Sequence, residues 1–255
     1  MLFPTSHLPD GQVTANRTIY NMETNSYKII EKNLLELQER IESACSRSIY
    51  NQESVELIIS TKYVDADIIR ILSELGISYI GENRLQDTER KREELYDLDL
   101  KWHMFGHLQR NKVKKAVRIF DLIHSVESVT LAKEINKESE KLGKNSRILV
   151  EVNVSGEETK YGLSPEETIP FLHEINKLER IKVKGLMTMA PIVDDPEICR
   201  PMFKGLRELS ERIKDENIQN VEMNILSMGM TQDFEVAIEE GANLVRIGSA
   251  VFKGI

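Results

Sequence analysis

The sequence is short of several features that would place it in a familiar class of protein. It has only 2 cysteines, Cys45 and Cys199, which are far apart and in no CxxC pattern, so neither a disulfide framework nor a thiolate metal site is expected. No apolar run is long enough to cross a bilayer. The 34 basic residues are outnumbered by 42 acidic ones, and the formal net charge of -8 argues against a protein that coats nucleic acid. We therefore expect a cytoplasmic protein with no membrane or nucleic-acid partner.

The first 25 residues also lack a regular hydrophobic pattern. They contain Pro4, Pro9 and Gly11 among scattered polar residues, and no apolar segment follows a basic start, so they do not read as a secretory signal. We predict a loose, disordered leader over residues 1–25 and a single domain over residues 26–255. No linker divides that domain, and it is long enough to bury a large core.

The rest of the chain alternates short apolar runs with amphipathic segments. The first run, 55–62, is rich in β-branched residues and follows a helical pattern over 27–47. The seven later runs, each preceded by a helical pattern, are 78–81, 101–106, 120–126, 147–154, 182–190, 222–229 and 243–248. Eight strands, seven intervening helices and one helix before the first strand predict a single parallel (β/α)8 TIM-type barrel. The alternative is an open doubly wound sheet, which is less favoured because no Gly-rich turn follows the first strand.

The first strand ends in a lysine, Lys62. In a parallel barrel the active site lies at the carboxyl ends of the strands. An amine held at the edge of a core is partly desolvated, which favours its neutral form and frees the lone pair for attack on a carbonyl. Lys62 is therefore a candidate for Schiff-base formation. The alternative is that it simply marks the solvated end of a strand.

Barrel closure brings Lys62 close to residues near the other end of the sequence, because strand eight pairs with strand one. The residues with anion-binding character at the ends of strands seven and eight are Ser227, Gly229, Gly248 and Ser249. Backbone N–H groups at glycine and the serine hydroxyls can donate to a phosphate. A phosphate site beside a reactive lysine fits either pyridoxal phosphate or a class I aldolase that acts on a phosphorylated sugar.

Seven short motifs follow one another along the chain. They are STK (60–62), GEN (81–83), HMFGHLQRNK (103–112), NVSGEETKYG (153–162), GLMTMAP (185–191), SMGMTQDF (227–234) and VRIGSAVF (245–252). Each is weak by itself, but their order and spacing together are highly specific and extend over nearly all of the chain after the leader. On these motifs the chain resembles the pyridoxal phosphate homeostasis proteins, which are single-domain relatives of the N-terminal barrel of alanine racemase.

The resemblance implies a cofactor and the residues that hold it. Pyridoxal 5'-phosphate is expected as an aldimine on Lys62, with Ser227, Gly248 and Ser249 at the phosphate and Arg246 facing the pyridine nitrogen. Arginine has only donors and stays protonated, so the ring nitrogen opposite it must be an unprotonated acceptor. An unprotonated ring is a poorer electron sink, which disfavours deep carbanion chemistry.

The resemblance further implies a carrier rather than an enzyme. We expect a monomeric or weakly dimeric protein that buffers or delivers pyridoxal phosphate, with pyridoxal phosphate-dependent apoenzymes as recipients and no catalytic or metal-ligating residue. We expect no β-rich second domain after residue 255. In the racemases that domain supplies the second acid/base, so we expect racemisation to be feeble. The alternative is a pyridoxal phosphate-dependent amino-acid racemase or lyase of weak activity.

Other polar residues near the predicted strand ends have plainer interpretations. Asn83 is expected to cap the helix after strand two, and whether it also reaches the cofactor is left open. His103 and His107 are four residues apart but on either side of a strand end, so a metal pair is not expected. His124 is interpreted as a core residue with satisfied hydrogen bonds. Lys160 and Tyr161 lie in the loop after strand five. We expect them either to cover the cofactor or to bind a partner.

Overall fold

The computed structural model describes residues 10–50, 54–157 and 159–255; the side chains of residues 10–24 are outside this description. Eight parallel strands form a closed barrel in which neighbours follow chain order and the last strand pairs with the first. The strands are β1 Glu56–Ser60, β2 Tyr79–Glu82, β3 Lys101–Met104, β4 Leu122–Val126, β5 Ser146–Glu151, β6 Ile181–Met187, β7 Val221–Ser227 and β8 Leu244–Ile247. The predicted (β/α)8 barrel is confirmed, and the doubly wound alternative is wrong.

Helices surround the barrel. They are α1 Asp10–Arg47, α2 Ala66–Glu74, α3 Leu85–Glu94, α4 Val113–Ile119, α5 Val129–Lys141, α6 Pro165–Ile175, α7 Arg200–Asp215 and α8 Phe234–Glu239, with short 3-10 helices at Arg110–Lys112 and Pro196–Cys199. Helix α1 packs against both α8 and α2, so it fills the eighth outer position, as predicted. Within the described part of the chain, no helix is both long and apolar enough for a membrane span.

Helix α1 differs from the prediction at its beginning. It begins at Asp10, whereas the hydrophobic pattern predicted a start at Tyr27, so the later part of the expected leader is helical. No proline or glycine occurs between Gly11 and Tyr27, so nothing in the backbone chemistry stops the helix from extending toward its N-terminus. Residues 1–9 of the expected leader lie outside the described residues, and the domain boundary at residue 26 stays a prediction.

Hydrogen bonds between neighbouring residues set the start of α6. The Ser164 hydroxyl accepts a hydrogen bond from the Glu167 N–H, and the Glu167 carboxylate accepts one from the Ser164 N–H at 3.0 Å. Pro165 occupies the first helical position, where its missing N–H costs nothing. This capping box fixes the point at which the loop after β5 ends.

The barrel interior changes from apolar to polar along the strands. Its apolar core consists of Ile58, Phe105, Leu122, Leu149, Met187 and Leu244. Alternate strand residues face the same side, so the positions two residues beyond Leu122, Leu149 and Leu244 also point inward. The buried polar side chains at these positions and at the end of β7 are His124, Glu151, Ser227 and Arg246. The carboxyl end of the barrel is therefore polar inside.

A glycine permits close contact between β6 and β7. Gly185 has a φ of +156°, and a Cβ added there would lie 1.9 Å from the Ile225 carbonyl oxygen. The register of the two strands shifts between Val183 and Gly185, after which Met187 pairs with Ser227. This bulge sets which residues of β7 lie opposite the end of β6.

A buried ion pair fixes the carboxyl end of β1 against β2. Lys91 Nζ of α3 donates to Glu82 Oε1 at 2.6 Å and to the Thr61 carbonyl oxygen at 2.7 Å. The Thr61 hydroxyl donates to the same Glu82 oxygen at 2.6 Å. All three residues are buried. Because Thr61 directly precedes Lys62, this cluster sets where the chain leaves the barrel at the candidate lysine.

We predict that Lys91→Met lowers the free energy of unfolding by about 3–5 kcal/mol, because it leaves the Glu82 carboxylate buried without its charged partner. Urea denaturation of the variant and the parent protein measures the change. The matched control is Lys115→Met, since Lys115 forms an exposed ion pair with Glu89 at 2.9 Å and its loss should cost less than about 1 kcal/mol. Equal losses for the two variants would contradict the structural role of the buried pair.

Candidate functional site

A cavity of about 860 Å³ opens at the carboxyl ends of the strands, between the loops that follow β1, β6, β7 and β8. Its volume is within the range of sites that bind small molecules. The sequence-predicted site residues that line it are Lys62, Arg246, Gly248 and Ser249. Barrel closure through the pairing of β1 and β8 brings these residues together across nearly 190 positions of sequence, as expected.

Lys62 lies at the rim of the cavity with its side chain exposed. Its Nζ lies 4.6 Å from the centroid of the Tyr63 ring. We predicted a partly desolvated amine, and this prediction is wrong because Lys62 is exposed. The reason is that β1 ends at Ser60, so the lysine follows the strand by two residues and projects beyond the edge of the core.

Two hydroxyl groups and a glycine lie together in one corner of the cavity. The Ser249 hydroxyl donates to the Thr231 hydroxyl at 3.1 Å, and both residues line the cavity. A Cβ at Gly248 would lie 3.3 Å from the Ser60 carbonyl oxygen, so only a glycine lets β1 and the end of β8 approach this closely without adjustment. Sequence reasoning missed Thr231, although a hydroxyl two residues after Gly229 was the available signal.

Ser227 does not line the cavity. It is fully buried, and its hydroxyl contacts both Arg246 and His124. We predicted that this hydroxyl contacts a phosphate, but in the structure it accepts a hydrogen bond from the guanidinium of Arg246. Proximity in sequence to the strand end did not reveal this because the side chain points into the barrel rather than toward the cavity.

Gly229 and Asn83 also lie outside the cavity lining. Gly229 has a φ of +93°, and a Cβ there would lie 2.8 Å from Phe234 Cα; its carbonyl oxygen accepts from the Arg246 N–H at 3.0 Å. The glycine therefore serves a tight turn. Asn83 is exposed, and the residue that caps α3 is Arg84, without a side-chain hydrogen bond. The predicted capping role of Asn83 is wrong because the helix starts one residue later than that role requires.

Arg246 reaches the cavity from a buried position. Its Nη1 donates to the carbonyl oxygen of Ser227 at 2.7 Å and to the Ser227 hydroxyl, and its Nη2 donates to the Thr188 carbonyl oxygen at 2.8 Å. A guanidinium has five N–H donors, so two of them have no partner among the described residues. Burial lowers the pKa of Arg246 to about 10, while Asp233 and Glu151 oppose that shift. The side chain therefore stays a cation at neutral pH, and two of its N–H groups are available to a ligand.

Glu151 is a second charged group inside the barrel that sequence reasoning missed. Its side chain is 3 % exposed, and its carboxyl group has neither a hydrogen bond nor an ion pair with any described residue. Its pKa is raised to about 7, mainly by burial and also by Glu127, while Arg246 opposes the rise. The signal was an acidic residue at an inward position of the apolar strand β5. Near neutral pH this carboxyl group exchanges a proton with little cost.

The loop after β5 is attached to the same region. Glu127 accepts a hydrogen bond from the Gly162 N–H at 2.7 Å and contacts His107 Nδ1 at 3.1 Å. The His107 ring stacks on Tyr161, with 4.3 Å between the ring centroids. Lys160 pairs with Glu157 at 2.9 Å. These contacts place the loop beside Glu127 and leave open whether it also covers a ligand.

His103 and His124 lie within the barrel. His103 Nδ1 is 3.0 Å from His124 Nε2, and His124 Nδ1 is 3.0 Å from Ser227 Oγ. Burial lowers the pKa of His103 to about 3 and that of His124 well below its usual range, so both rings are neutral. The interpretation of His124 as a hydrogen-bonded core residue is confirmed. In the described part of the chain, no group of three or more His, Cys, Asp or Glu side chains could hold a metal ion.

Comparison with known proteins identifies relatives over most of the chain. The family model described as "Alanine racemase, N-terminal domain" matches residues 60–255. The pyridoxal phosphate homeostasis protein of Aquifex aeolicus is 45% identical over 214 residues, which are 84% of this chain and 93% of that protein. The protein of the same name from Helicobacter pylori strain 26695 is 36% identical over 84% of this chain and 94% of its own length.

Among solved structures, PipY of Synechococcus elongatus with PLP bound is 31% identical, with a TM-score of 0.77 over 88% of this chain and 99% of that one. The barrel, the order of the motifs and these identities all lead to the same assignment. The chain belongs to the alanine racemase N-terminal domain family, and within it to the pyridoxal phosphate homeostasis proteins.

Proposed function

We propose that this protein binds pyridoxal 5'-phosphate as a Schiff base with Lys62, and that it buffers or delivers the cofactor in the cytoplasm rather than turning over a substrate. One observation carries the proposal: a single cavity contains an exposed primary amine, a pair of hydroxyl groups and a buried guanidinium with two unused donors. The names of the relatives and the PLP-bound structure of PipY support it.

The donor set fits each functional group of the cofactor. When bound, pyridoxal phosphate supplies an aldehyde that condenses with a primary amine. Lys62 is the primary amine that lines the cavity. Ser249, Thr231 and the backbone at Gly248 offer donors to a phosphate, and Arg246 offers N–H groups to the ring nitrogen. The proposal assigns the phosphate to these three residues and leaves Ser227 to hold Arg246.

The difference in burial between Arg246 and Lys62 is consistent with a carrier role. Arg246 is buried and fixed by hydrogen bonds, whereas Lys62 is exposed at the rim. If the cofactor is attached at the exposed Lys62, its aldehyde carbon stays accessible to an incoming amine, such as the active-site lysine of an apoenzyme. A cationic Arg246 opposite the ring nitrogen favours its unprotonated form, which weakens the ring as an electron sink. Family membership also disfavours the phosphosugar aldolase alternative.

Glu151 favours a second candidate, a weak amino-acid racemase or lyase activity. A carboxyl group whose pKa is about 7 is suited to give or take a proton at neutral pH. Glu151 is buried inside the barrel and is not among the residues that line the cavity, but its carboxyl group interacts electrostatically with Arg246, which does line it. Exchange of the α-proton of amino acids with solvent deuterium would show this activity. A protein that only binds and releases the cofactor would not catalyse the exchange.

We predict that the protein mixed with pyridoxal phosphate develops a visible absorbance band that borohydride removes. We expect Lys62→Ala to abolish the band because, among the described residues that line the cavity, no other one offers an amine. The matched control is Lys160→Ala, which removes a lysine from the loop after β5 and should keep the band. A band that survives in Lys62→Ala, or one that disappears in Lys160→Ala alone, would contradict the proposed attachment point.

The pKa of Glu151 generates a prediction about stability. Its ordinary value is 4.5 and its value in the folded protein is about 7, so the folded state holds the proton more tightly than the unfolded chain. The stabilisation is complete below pH 4.5 and is lost as the pH rises through about 7. Relative to Glu151→Gln, the wild-type protein should therefore lose about 2–3 kcal/mol between pH 5 and pH 8. Urea denaturation at the two pH values measures this, and a pH-independent difference would show that Glu151 ionises normally.

A further inference from the structure

A continuous chain of hydrogen bonds runs through the barrel from Arg246 to His103. It passes from the guanidinium to the Ser227 hydroxyl, then to His124 Nδ1, and from His124 Nε2 to His103 Nδ1, with both histidine contacts at 3.0 Å. His103 lies edge-on to the Tyr79 ring, with 5.7 Å between the centroids. All members from Arg246 to His103 are buried, so the direction of every hydrogen bond in the chain matters.

Arginine fixes that direction because it can only donate. The Ser227 oxygen therefore accepts from Arg246, and its own proton must go to an acceptor. His124 Nδ1 provides one if the ring carries its proton on Nε2, and that Nε2–H then donates to His103 Nδ1. In this arrangement each contact from Arg246 to His103 Nδ1 pairs one donor with one acceptor.

The opposite direction is disfavoured for two reasons. If His124 carried its proton on Nδ1, it would donate to Ser227, and the buried hydroxyl proton would have no acceptor among the described residues. The N–H dipoles of both rings would also point their positive ends toward the Arg246 cation. A flipped His124 ring is excluded as well, because it would place carbon atoms at both 3.0 Å contacts.

We propose that His124 is a positioning residue for Arg246: by accepting the Ser227 proton on Nδ1 it presents the Ser227 lone pairs to the guanidinium, and so holds the two unused N–H groups of Arg246 at the cavity. What those N–H groups bind rests on the proposed function, in which they meet the pyridine nitrogen. The direction of the hydrogen-bond chain does not depend on that function.

The tautomer of His124 is the direct test, and it needs no ligand. A long-range proton–nitrogen correlation spectrum of the wild-type protein, with histidine labelled by ¹⁵N, distinguishes the two neutral tautomers. We expect His124 and His103 both to carry the proton on Nε2. A proton on Nδ1 of His124, or a charged ring at neutral pH, would overturn the proposal whether or not pyridoxal phosphate binds.

Ligand selectivity tests the positioning role. In the wild-type protein, pyridoxal phosphate should bind about tenfold more tightly than its deaza analogue, which has a C–H in place of the ring nitrogen, because a hydrogen bond to a charged donor is lost. His124→Leu should bring this ratio close to one. A purely structural role would weaken both ligands equally and leave the ratio unchanged, which would contradict the proposal.

His124→Asn is the rescue variant. Its side-chain oxygen can accept the Ser227 proton near the position of Nδ1, although it cannot reach His103, so the tenfold ratio should persist. A ratio near one in His124→Asn would show that the contact with His103, rather than acceptance from Ser227, is what matters. If neither ligand binds the wild-type protein, the proposed function fails, while the tautomer measurement still decides the role of His124.

Discussion

The buried guanidinium of Arg246 is the constraint on which the rest of the site depends. Removing a cation from water costs several kcal/mol unless its donors are satisfied, and here the acceptors come from the ends of two other strands. The carbonyl oxygens of Thr188 and Ser227, together with the Ser227 hydroxyl, receive three N–H groups. The charge therefore links the carboxyl ends of β6, β7 and β8, and Arg246 also lines the cavity. The Ser227 hydroxyl is hydrogen-bonded to Arg246 and to His124.

A buried ion pair holds the carboxyl end of β1, the strand that leads to Lys62. Lys91, Glu82 and Thr61 hold the end of β1 against β2 and α3, and the chain then turns outward to the exposed Lys62. The site thus combines strand ends that buried charged groups hold in place with one exposed amine. This combination suits a protein that captures an aldehyde reversibly and releases it to another amine, because the frame need not rearrange when the attachment changes.

Much of this arrangement follows from the sequence. The apolar runs and their helical intervals predict the barrel, and parallel closure predicts that Lys62 meets Arg246, Gly248 and Ser249. Three features of the site could not be predicted in the same way. They are the hydrogen bonds of the Ser227 hydroxyl, the burial of the Glu151 carboxyl group and the position of Thr231 in the cavity lining. They depend on which strand residues face inward at the top of the barrel and on the register of β7, and that register shifts at the bulge next to Gly185. The start of α1 was also missed, because an amphipathic pattern marks where a helix packs and not where it begins.

The central claim is that pyridoxal phosphate is held on Lys62. The most direct measurement is peptide mass mapping of the protein after mixing with pyridoxal phosphate, reduction with borohydride and proteolysis. The account predicts that the mass of the reduced cofactor is found on the peptide that contains Lys62, at close to one per chain. A protein without the added mass, or with that mass mainly on Lys160 or spread over exposed lysines, would contradict it.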